Sequence, residues 1–303
     1  MNSWNQNLEE QNETYPARDS ERSPHTLDHE RSSSSGTAEA PIGVFDSGAG
    51  GFTILSALRR ELPDENYIYF GDTANCPYGM RSDAEIVELS IQACSFLVEQ
   101  EVKLIVVACN TASQAALNSL RATFTSIRFV GVVPAVKPAA RATKKGRIGI
   151  AATNQAASSK YLQQLIDEFA GGIQAFAVGC PELVALVEQG EIDGPEVEAS
   201  VEQALYPILK EDVDVIVLGC THFPALRPVF ERVTHNKIHI IDSSSAVARR
   251  THYVLDTEGL IHPAHLNGAH GGNLEVWCSG DARALSDVAQ KLLGYPLKAH
   301  QAR

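Results

Sequence analysis

Two stretches decide the fold of this 303-residue chain: Leu104-Ile-Val-Val-Ala-Cys-Asn-Thr111 and Val213-Asp-Val-Ile-Val-Leu-Gly-Cys-Thr-His222. Each is a run of β-branched and aliphatic residues that ends on a cysteine followed by polar residues. Such a run reads as a strand buried on both faces of a parallel sheet. Its end is where an open α/β sheet binds ligands, beyond the carboxyl edge of the strands.

Upstream of the first stretch, Pro41-Ile-Gly-Val-Phe45 is a short apolar run leading into Asp46-Ser-Gly-Ala-Gly-Gly51. Phe52, Leu55, Leu58 and Leu62 then recur at helical spacing until Pro63 stops the pattern. Residues 66–70 read as a strand, 84–100 as an amphipathic helix, and a further helix begins near Asn110 and Thr111. Residues 129–133 read as another strand, ending at Pro134. Strands and helices therefore alternate, which implies a parallel sheet with helices on both faces.

A second unit starts at Arg147-Ile-Gly-Ile-Ala151 and runs through the second stretch to residues 238–241. The two units form a weak internal repeat. Ile42-Gly-Val matches Ile148-Gly-Ile, and Val106-Val-Ala-Cys-Asn-Thr111 matches Val217-Leu-Gly-Cys-Thr-His222. The expected architecture is thus α/β, with two pseudo-symmetric doubly wound domains and the active site between them. The expected first domain comprises 41–136 and 246–303, and the second 137–245.

The 44% apolar share can fill a substantial core, which excludes a wholly disordered or fibrous chain. With 25 lysines and arginines against 37 acids, the formal charge is −12, and no general basic footprint for nucleic acid exists. Residues 1–40 hold eight acids, three arginines and eight non-adjacent apolar residues. Such a segment cannot offset its ordering entropy and is expected to be a disordered extension. It also lacks the apolar run of a signal peptide, and no run elsewhere approaches the ~18 apolar residues that span a bilayer. Six cysteines (76, 94, 109, 180, 220 and 278) in such a chain point to reduced thiols in the cytoplasm. No CxxC pair is present to support a zinc ribbon or a thioredoxin-type site.

Asp46-Ser47, Cys109-Asn110-Thr111 and Cys220-Thr221-His222 all fall at strand ends. Each cysteine is expected to precede a helix N-terminus, whose N–H groups favour a thiolate and draw its pKa towards neutrality. A stable disulfide between them is disfavoured in the cytoplasm. Nucleophilic catalysis by Cys220 with His222 as base would leave Cys109 unexplained. Two-base proton transfer uses both thiols: one takes a proton from one face of a carbon while the other returns a proton to the opposite face. That chemistry inverts a chiral centre, and matched half-sites suit a substrate and product that are mirror images.

These residues resemble the cofactor-independent, two-cysteine aspartate/glutamate racemases, and within them the glutamate racemases. The resemblance includes Val44-Phe-Asp-Ser-Gly-Ala-Gly-Gly51, Tyr69-Phe-Gly-Asp-Thr73 with Pro77-Tyr-Gly79, and Val107-Ala-Cys-Asn-Thr-Ala-Ser113. It continues through Gly131-Val-Val-Pro-Ala-Val-Lys-Pro138, Cys180-Pro181 with Val187-Glu188, and Leu218-Gly-Cys-Thr-His-Phe-Pro224. Asp242-Ser243, Ala248-Arg-Arg-Thr251 and Ser279-Gly-Asp281 extend it to about residue 290. It implies that Cys109 and Cys220 are the catalytic acid/bases, that Asp46 assists the first thiol, and that Glu188 and His222 assist the second. It further implies that Asp46, Ser47, Pro77, Tyr78, Gly79, Asn110, Thr111, Thr153, Thr221 and His222 hold the substrate. Hydroxyls and N–H groups can neutralise a carboxylate without adding a competing base, and Asp46 could hold an ammonium.

The implied function is cofactor-independent interconversion of L- and D-glutamate, supplying D-glutamate for peptidoglycan. The resemblance also implies UDP-N-acetylmuramoyl-L-alanine as a possible activator, because related enzymes with N-terminal extensions respond to it. The oligomeric state is open between a monomer and a homodimer, and neither nucleic acid nor membrane is an expected partner.

The chain departs from the family pattern at three places. A family Thr-x-x-Thr reads Thr153-Asn-Gln-Ala156 here, so one hydroxyl is missing. Cys76, before Pro77, reads as a chance core residue, with a place beside the pocket as the alternative. His262, His265 and His270 lie in a Gly- and Pro-containing stretch that reads as a solvated loop and not as a metal site.

Rival readings are aspartate racemisation on the same thiols, or a non-catalytic regulatory protein on the same fold. A dinucleotide fingerprint from Gly48 and Gly50 would need a third glycine where Thr53 stands. Pyridoxal chemistry would need a Schiff-base lysine, and Lys137, between Pro134 and Pro138, has no evident phosphate loop beside it.

Overall fold

A computed structural model describes residues 37–264 and 271–302. Expectations for residues 1–36 and for His265 and His270 concern residues outside that description. The first unit begins with β1 (Ile42–Asp46), α1 (Phe52–Glu61), β2 (Tyr67–Gly71), α2 (Asp83–Glu99), β3 (Leu104–Val107), α3 (Asn110–Thr123) and β4 (Arg128–Gly131). After α4 (Val136–Ala142), a second series follows: β5 (Arg147–Ala152), α5 (Asn154–Ala157), α6 (Lys160–Phe169), β6 (Gln174–Gly179), α7 (Pro181–Glu188), α8 (Pro195–Leu209), β7 (Val215–Leu218), α9 (Arg227–Val233) and β8 (His239–Ile241). The described chain closes with α10 (Ser244–Thr257), β9 (Leu274–Cys278), α11 (Ala282–Leu293) and β10 (Ala299–Gln301).

All strand pairs are parallel, as the helical crossovers require. One sheet has the order β10-β9-β2-β1-β3-β4 and the other β6-β5-β7-β8. The repeat seen in the sequence is therefore also a repeat of topology: β2-β1-β3-β4 in one sheet corresponds to β6-β5-β7-β8 in the other. In both, the strand order reverses beside the first strand, creating a switch point at the carboxyl edge where ligands bind in open α/β sheets.

Each sheet is sandwiched. Along β1 and β3, Ile42, Val44, Leu104 and Val106 face a core shared with α1, α10 and α11. Their alternates Phe45, Ile105 and Val107 face the core built with α2 and α3. Such alternation follows from the two-residue period of a strand. In the second sheet, Ile148, Ile150, Val215 and Val217 pack on α4 and α6, while Ala151, Ile216 and Leu218 pack on α7, α8 and α9. Fully burying a side chain such as Leu, Ile or Phe contributes roughly 1.5–3 kcal/mol, so these four faces set the strand register.

The strands β6, β9 and β10 go beyond the expected elements. β6 is an alanine-containing edge strand with no buried residue, and β10 is only three residues long with two exposed. Neither carries the apolar run by which buried strands announce themselves. No helix among the described residues is long and apolar enough to cross a membrane.

Candidate active site

The strand ends meet at one small cavity. It is lined by Ser47, Pro77, Tyr78, Gly79, Cys109, Asn110, Thr111, Thr153, Cys220, Thr221 and His222, together with Val184, and holds about 10 Å³. Ten of the expected substrate-contacting or thiol positions therefore converge from both sheets with His222. Asp46 and Glu188 stand behind this lining and act on it through their neighbours.

On the first side, Cys109 is the N-cap of α3. Its sulfur accepts the Ala112 N–H at 3.4 Å and lies 3.5 Å from Ser47 Oγ. Asp46, at the end of β1, is fully buried; its carboxylate accepts the Gly48 N–H at 2.9 Å and the Thr221 hydroxyl at 3.0 Å. Burial raises the Asp46 pKa, against the opposing pull of His222 and these two donors. Thr221, expected to face substrate, thus uses its hydroxyl to reach from the second sheet to the first. Thr111 and Thr153 share a hydrogen bond of 3.0 Å in the same way.

The second side is a relay. Cys220 Sγ lies 3.5 Å from His222 Nδ1, and His222 Nε2 lies 2.5 Å from Glu188 Oε1. That same carboxylate oxygen accepts the Ala49 N–H at 2.7 Å. Burial alone would lower the His222 pKa, but Cys220, Cys76 and Glu188 outweigh it and hold the ring as imidazolium. Burial likewise opposes ionisation of Glu188, yet His222 and the Ala49 N–H keep it a carboxylate. Gly50 makes this approach possible: a Cβ there would sit 2.6 Å from His222 Nδ1, a spacing that only glycine permits.

Two sequence expectations fail here. Cys109 does cap a helix, but its pKa is not drawn towards neutrality. Burial, reinforced by the Asp46 charge, pushes it up to about 12, and the Ser47 and Ala112 donors do not compensate. Cys220 precedes no α-helix N-terminus; a 3₁₀ turn (Phe223–Leu226) follows it before α9 begins. Its cationic neighbour is the His222 ring.

Cys76 is also misplaced by the sequence reading. It is only partly buried, and its sulfur lies within 4.8 Å of Glu188 and His222, behind the cavity lining and not in a core. It reaches there because the loop after β2 folds back over the β1 loop, where Gly48 offers no side chain to obstruct the thiol.

Sequence reasoning missed the support beneath the lining. Asp72, buried at the end of β2, accepts hydrogen bonds from the Tyr78 hydroxyl at 2.6 Å, the Ser279 hydroxyl at 2.6 Å and the Asn75 amide. This set fixes the Pro77-Tyr78-Gly79 loop to the first sheet. Asp72 could have been found by the strand-end rule that found Asp46. Val184, on α7, is an apolar wall with no signal of its own. Asn110 Oδ1 is buried and meets no donor, so an acceptor at the cavity awaits a partner. Ala156 is buried, and its N–H donates to Thr153 Oγ1 at 3.2 Å; the missing family hydroxyl leaves Thr153 as the remaining one.

Matched thiols at equivalent switch points, one beside a histidine–carboxylate pair, are an arrangement suited to moving protons at the two faces of one carbon, and the two-domain α/β fold that holds them is that of an isomerase class. A family model for Asp/Glu/hydantoin racemases matches residues 52–251. The glutamate racemase of Herpetosiphon aurantiacus is 43% identical over 84% of this chain and 98% of its own length. A solved glutamate racemase isoform from Bacillus anthracis is 33% identical, covers 88% of this chain and 98% of its own, and superposes with a TM-score of 0.76. The Escherichia coli glutamate racemase, solved with L-glutamate and the activator UDP-MurNAc-Ala, is 34% identical over 86% of this chain and 97% of its own, with a TM-score of 0.74. The chain belongs to the Asp/Glu/hydantoin racemase family.

Proposed function

We propose that the protein interconverts L- and D-glutamate without a cofactor, by two-base proton transfer at Cα between Cys109 and Cys220, and so supplies D-glutamate for peptidoglycan. The observation that carries this reading is the pair of thiols at equivalent strand ends of two repeated sheets, both lining one cavity. The glutamate racemases it resembles over nearly their whole length supply the substrate.

In this reading one thiol begins each turnover as thiolate and the other as thiol. Burial favours the thiol form of Cys109 in the substrate-free site, so it is the acid when the α-proton faces Cys220, and the opposite enantiomer draws on its minority thiolate. Cys220, 3.5 Å from the His222 ring, starts as the base with the imidazolium N–H directed at it. The base takes the α-proton from one face, Cys109 delivers its proton to the other, and the roles are exchanged for the opposite enantiomer. Charge that develops on the substrate carboxylate meets the hydroxyl and N–H groups around Ser47, Thr111 and Thr153. The substrate ammonium finds its acceptor in Asn110 Oδ1, whose unpaired burial otherwise costs about 1–3 kcal/mol. Asp46 acts from behind the lining, through Thr221 and its charge on Cys109.

The domain division 41–136 with 246–303 against 137–245 belongs to the same proposal. Strand membership of the two sheets supports it, as does the packing of α10 on the first sheet's core. Cytoplasmic residence is supported by six free thiols. Activation by UDP-N-acetylmuramoyl-L-alanine is supported by the Escherichia coli relative solved with it; titrating this ligand into a racemisation assay of the full chain tests it, and unchanged rates refute it. The central test is D-glutamate in deuterated water. L-Glutamate carrying deuterium at Cα is expected, whereas folded protein that yields neither L-isomer nor label defeats the reading.

A further inference from the structure

We propose that Cys76, Glu188 and His222 form a binding site for a zinc-class divalent cation, and that the ion reversibly switches off turnover. The three donor atoms lie within 4.8 Å of one another. They comprise one sulfur, one imidazole nitrogen and one carboxylate oxygen, the mixed set that tetrahedral zinc accepts with its fourth position left to water. They come from three separate segments: the loop before Pro77, the last residue of α7, and the turn after β7. The folded state therefore assembles them without help from an ion.

The surroundings match those of a metal site beyond its ligands. The Ala49 N–H holds Glu188 Oε1 at 2.7 Å, and His222 has its second ring nitrogen 3.5 Å from Cys220. Such outer contacts orient ligands and fix the histidine tautomer. Gly48 packs its backbone directly against the Glu188 carboxylate and the Cys76 sulfur, and a Cβ there would collide with both, so glycine at this position is what lets the two donors approach. Binding displaces the Cys76 thiol proton and the imidazolium proton shared with Glu188, both released to solvent, and forms bonds from the ion to sulfur, nitrogen and oxygen.

Cys76 is absent from the residues that line the substrate cavity, and it is neither of the two thiols that move the α-proton. The ion would nevertheless stop turnover, because it takes the His222 nitrogen that faces Glu188 and dissolves the imidazolium that serves Cys220. This consequence rests on the racemase reading; the metal site itself does not.

The test uses the full-length reduced protein and its Cys76→Ala variant. Metal-free protein is titrated with cobalt(II), whose thiolate charge-transfer band reports a Co–S bond, and with zinc under chelator-buffered conditions while racemisation is followed. We expect one cobalt per chain with a thiolate band in the wild type, and inhibition by zinc that a chelator reverses. Cys76→Ala should lose the band and, measured against its own metal-free rate, need at least ~10-fold more zinc for half-inhibition. Equal zinc sensitivity in both proteins would overturn the proposal and put the ion on the Cys109–Cys220 pair. Absence of a thiolate band in folded wild-type protein would overturn it as well. A Cys76-dependent band in a protein that does not racemise glutamate would keep the site and defeat the functional reading instead.

Discussion

Replacing Glu188 with glutamine tests the relay behind Cys220 without changing its shape. The amide oxygen can still accept the Ala49 N–H, but the charge 2.5 Å from His222 Nε2 is gone. Leaving a buried imidazolium without its carboxylate costs roughly 3–5 kcal/mol. The Glu188 side chain retains 23% exposure against 3% for His222, so solvent screening favours the low end. A loss of about 3 kcal/mol of support for the charged ring lowers the His222 pKa. The ring then loses its proton at lower pH, and the variant's kcat/KM profile should lose its alkaline side first. Because the carboxylate acts through His222, the rate should fall by about 100-fold, the low end for loss of acid–base function. L- and D-glutamate have equal free energies, so kcat/KM must fall by the same factor in both directions. Circular dichroism of the glutamate pool, followed across a pH series from each enantiomer, measures all three outcomes. A folded variant with the wild-type rate and an unshifted alkaline limb would refute the reasoning.

Cys109→Ala and Cys220→Ala should each lower kcat by ~10²–10⁴, measured in the same dichroism assay, and substantial turnover in either removes that thiol from the mechanism. Gly50→Ala drives a methyl against the His222 ring at 2.6 Å; it should cut activity severely while urea midpoints fall by roughly 1–3 kcal/mol of stability. Alkaline denaturation should be pronounced. Burial holds Cys76 near 11 and Cys109 and Cys180 near 12, against an ordinary 9.0. The folded chain therefore keeps protons that the unfolded chain releases above pH 9. Stability is full below that pH and declines above it by roughly 1.4 kcal/mol per thiol per pH unit, which urea titrations at successive pH values will show. Tyr78→Phe should cost about 1–3 kcal/mol by depriving buried Asp72 of a donor, with a higher KM for glutamate as the Pro77–Gly79 loop loosens.

Much of this molecule was legible in the chain because buried parallel strands carry their own signature. Leu104–Val107 and Val215–Leu218 are aliphatic runs followed directly by chemistry, and comparing them revealed both repeat and site. The edge strands β6 and β10, and β9 between β10 and β2, lacked that signature: β6 has no buried residue, β10 is three residues long, and β9 takes its place from β2, about 200 residues earlier. The site was legible in its identities and not in its electrostatics. Cap position and sequence context said that Cys109 should ionise readily, but the cost of burial among Asp46, Ser47 and Tyr78 is a property of the assembled fold. Cys76 illustrates the same limit: its local sequence is bland, and only the closure of one loop over another sets it beside His222. Asp72 and Val184 support the lining from elements whose relation to it is purely tertiary.

A cavity of about 10 Å³ among the paired thiols is room for about one water, and glutamate is many times larger. Glutamate therefore needs a wider cleft than this one, and a cleft as narrow as this one keeps bulk water from the thiols. In so narrow a cleft the proton removed from Cα has nowhere to go except the sulfur that took it. Each turnover in deuterated water should then write its label into the newly formed enantiomer, while substrate recovered early stays unlabelled. The site thus carries a memory of a single proton, erased only when the cleft opens and the thiols exchange with bulk water.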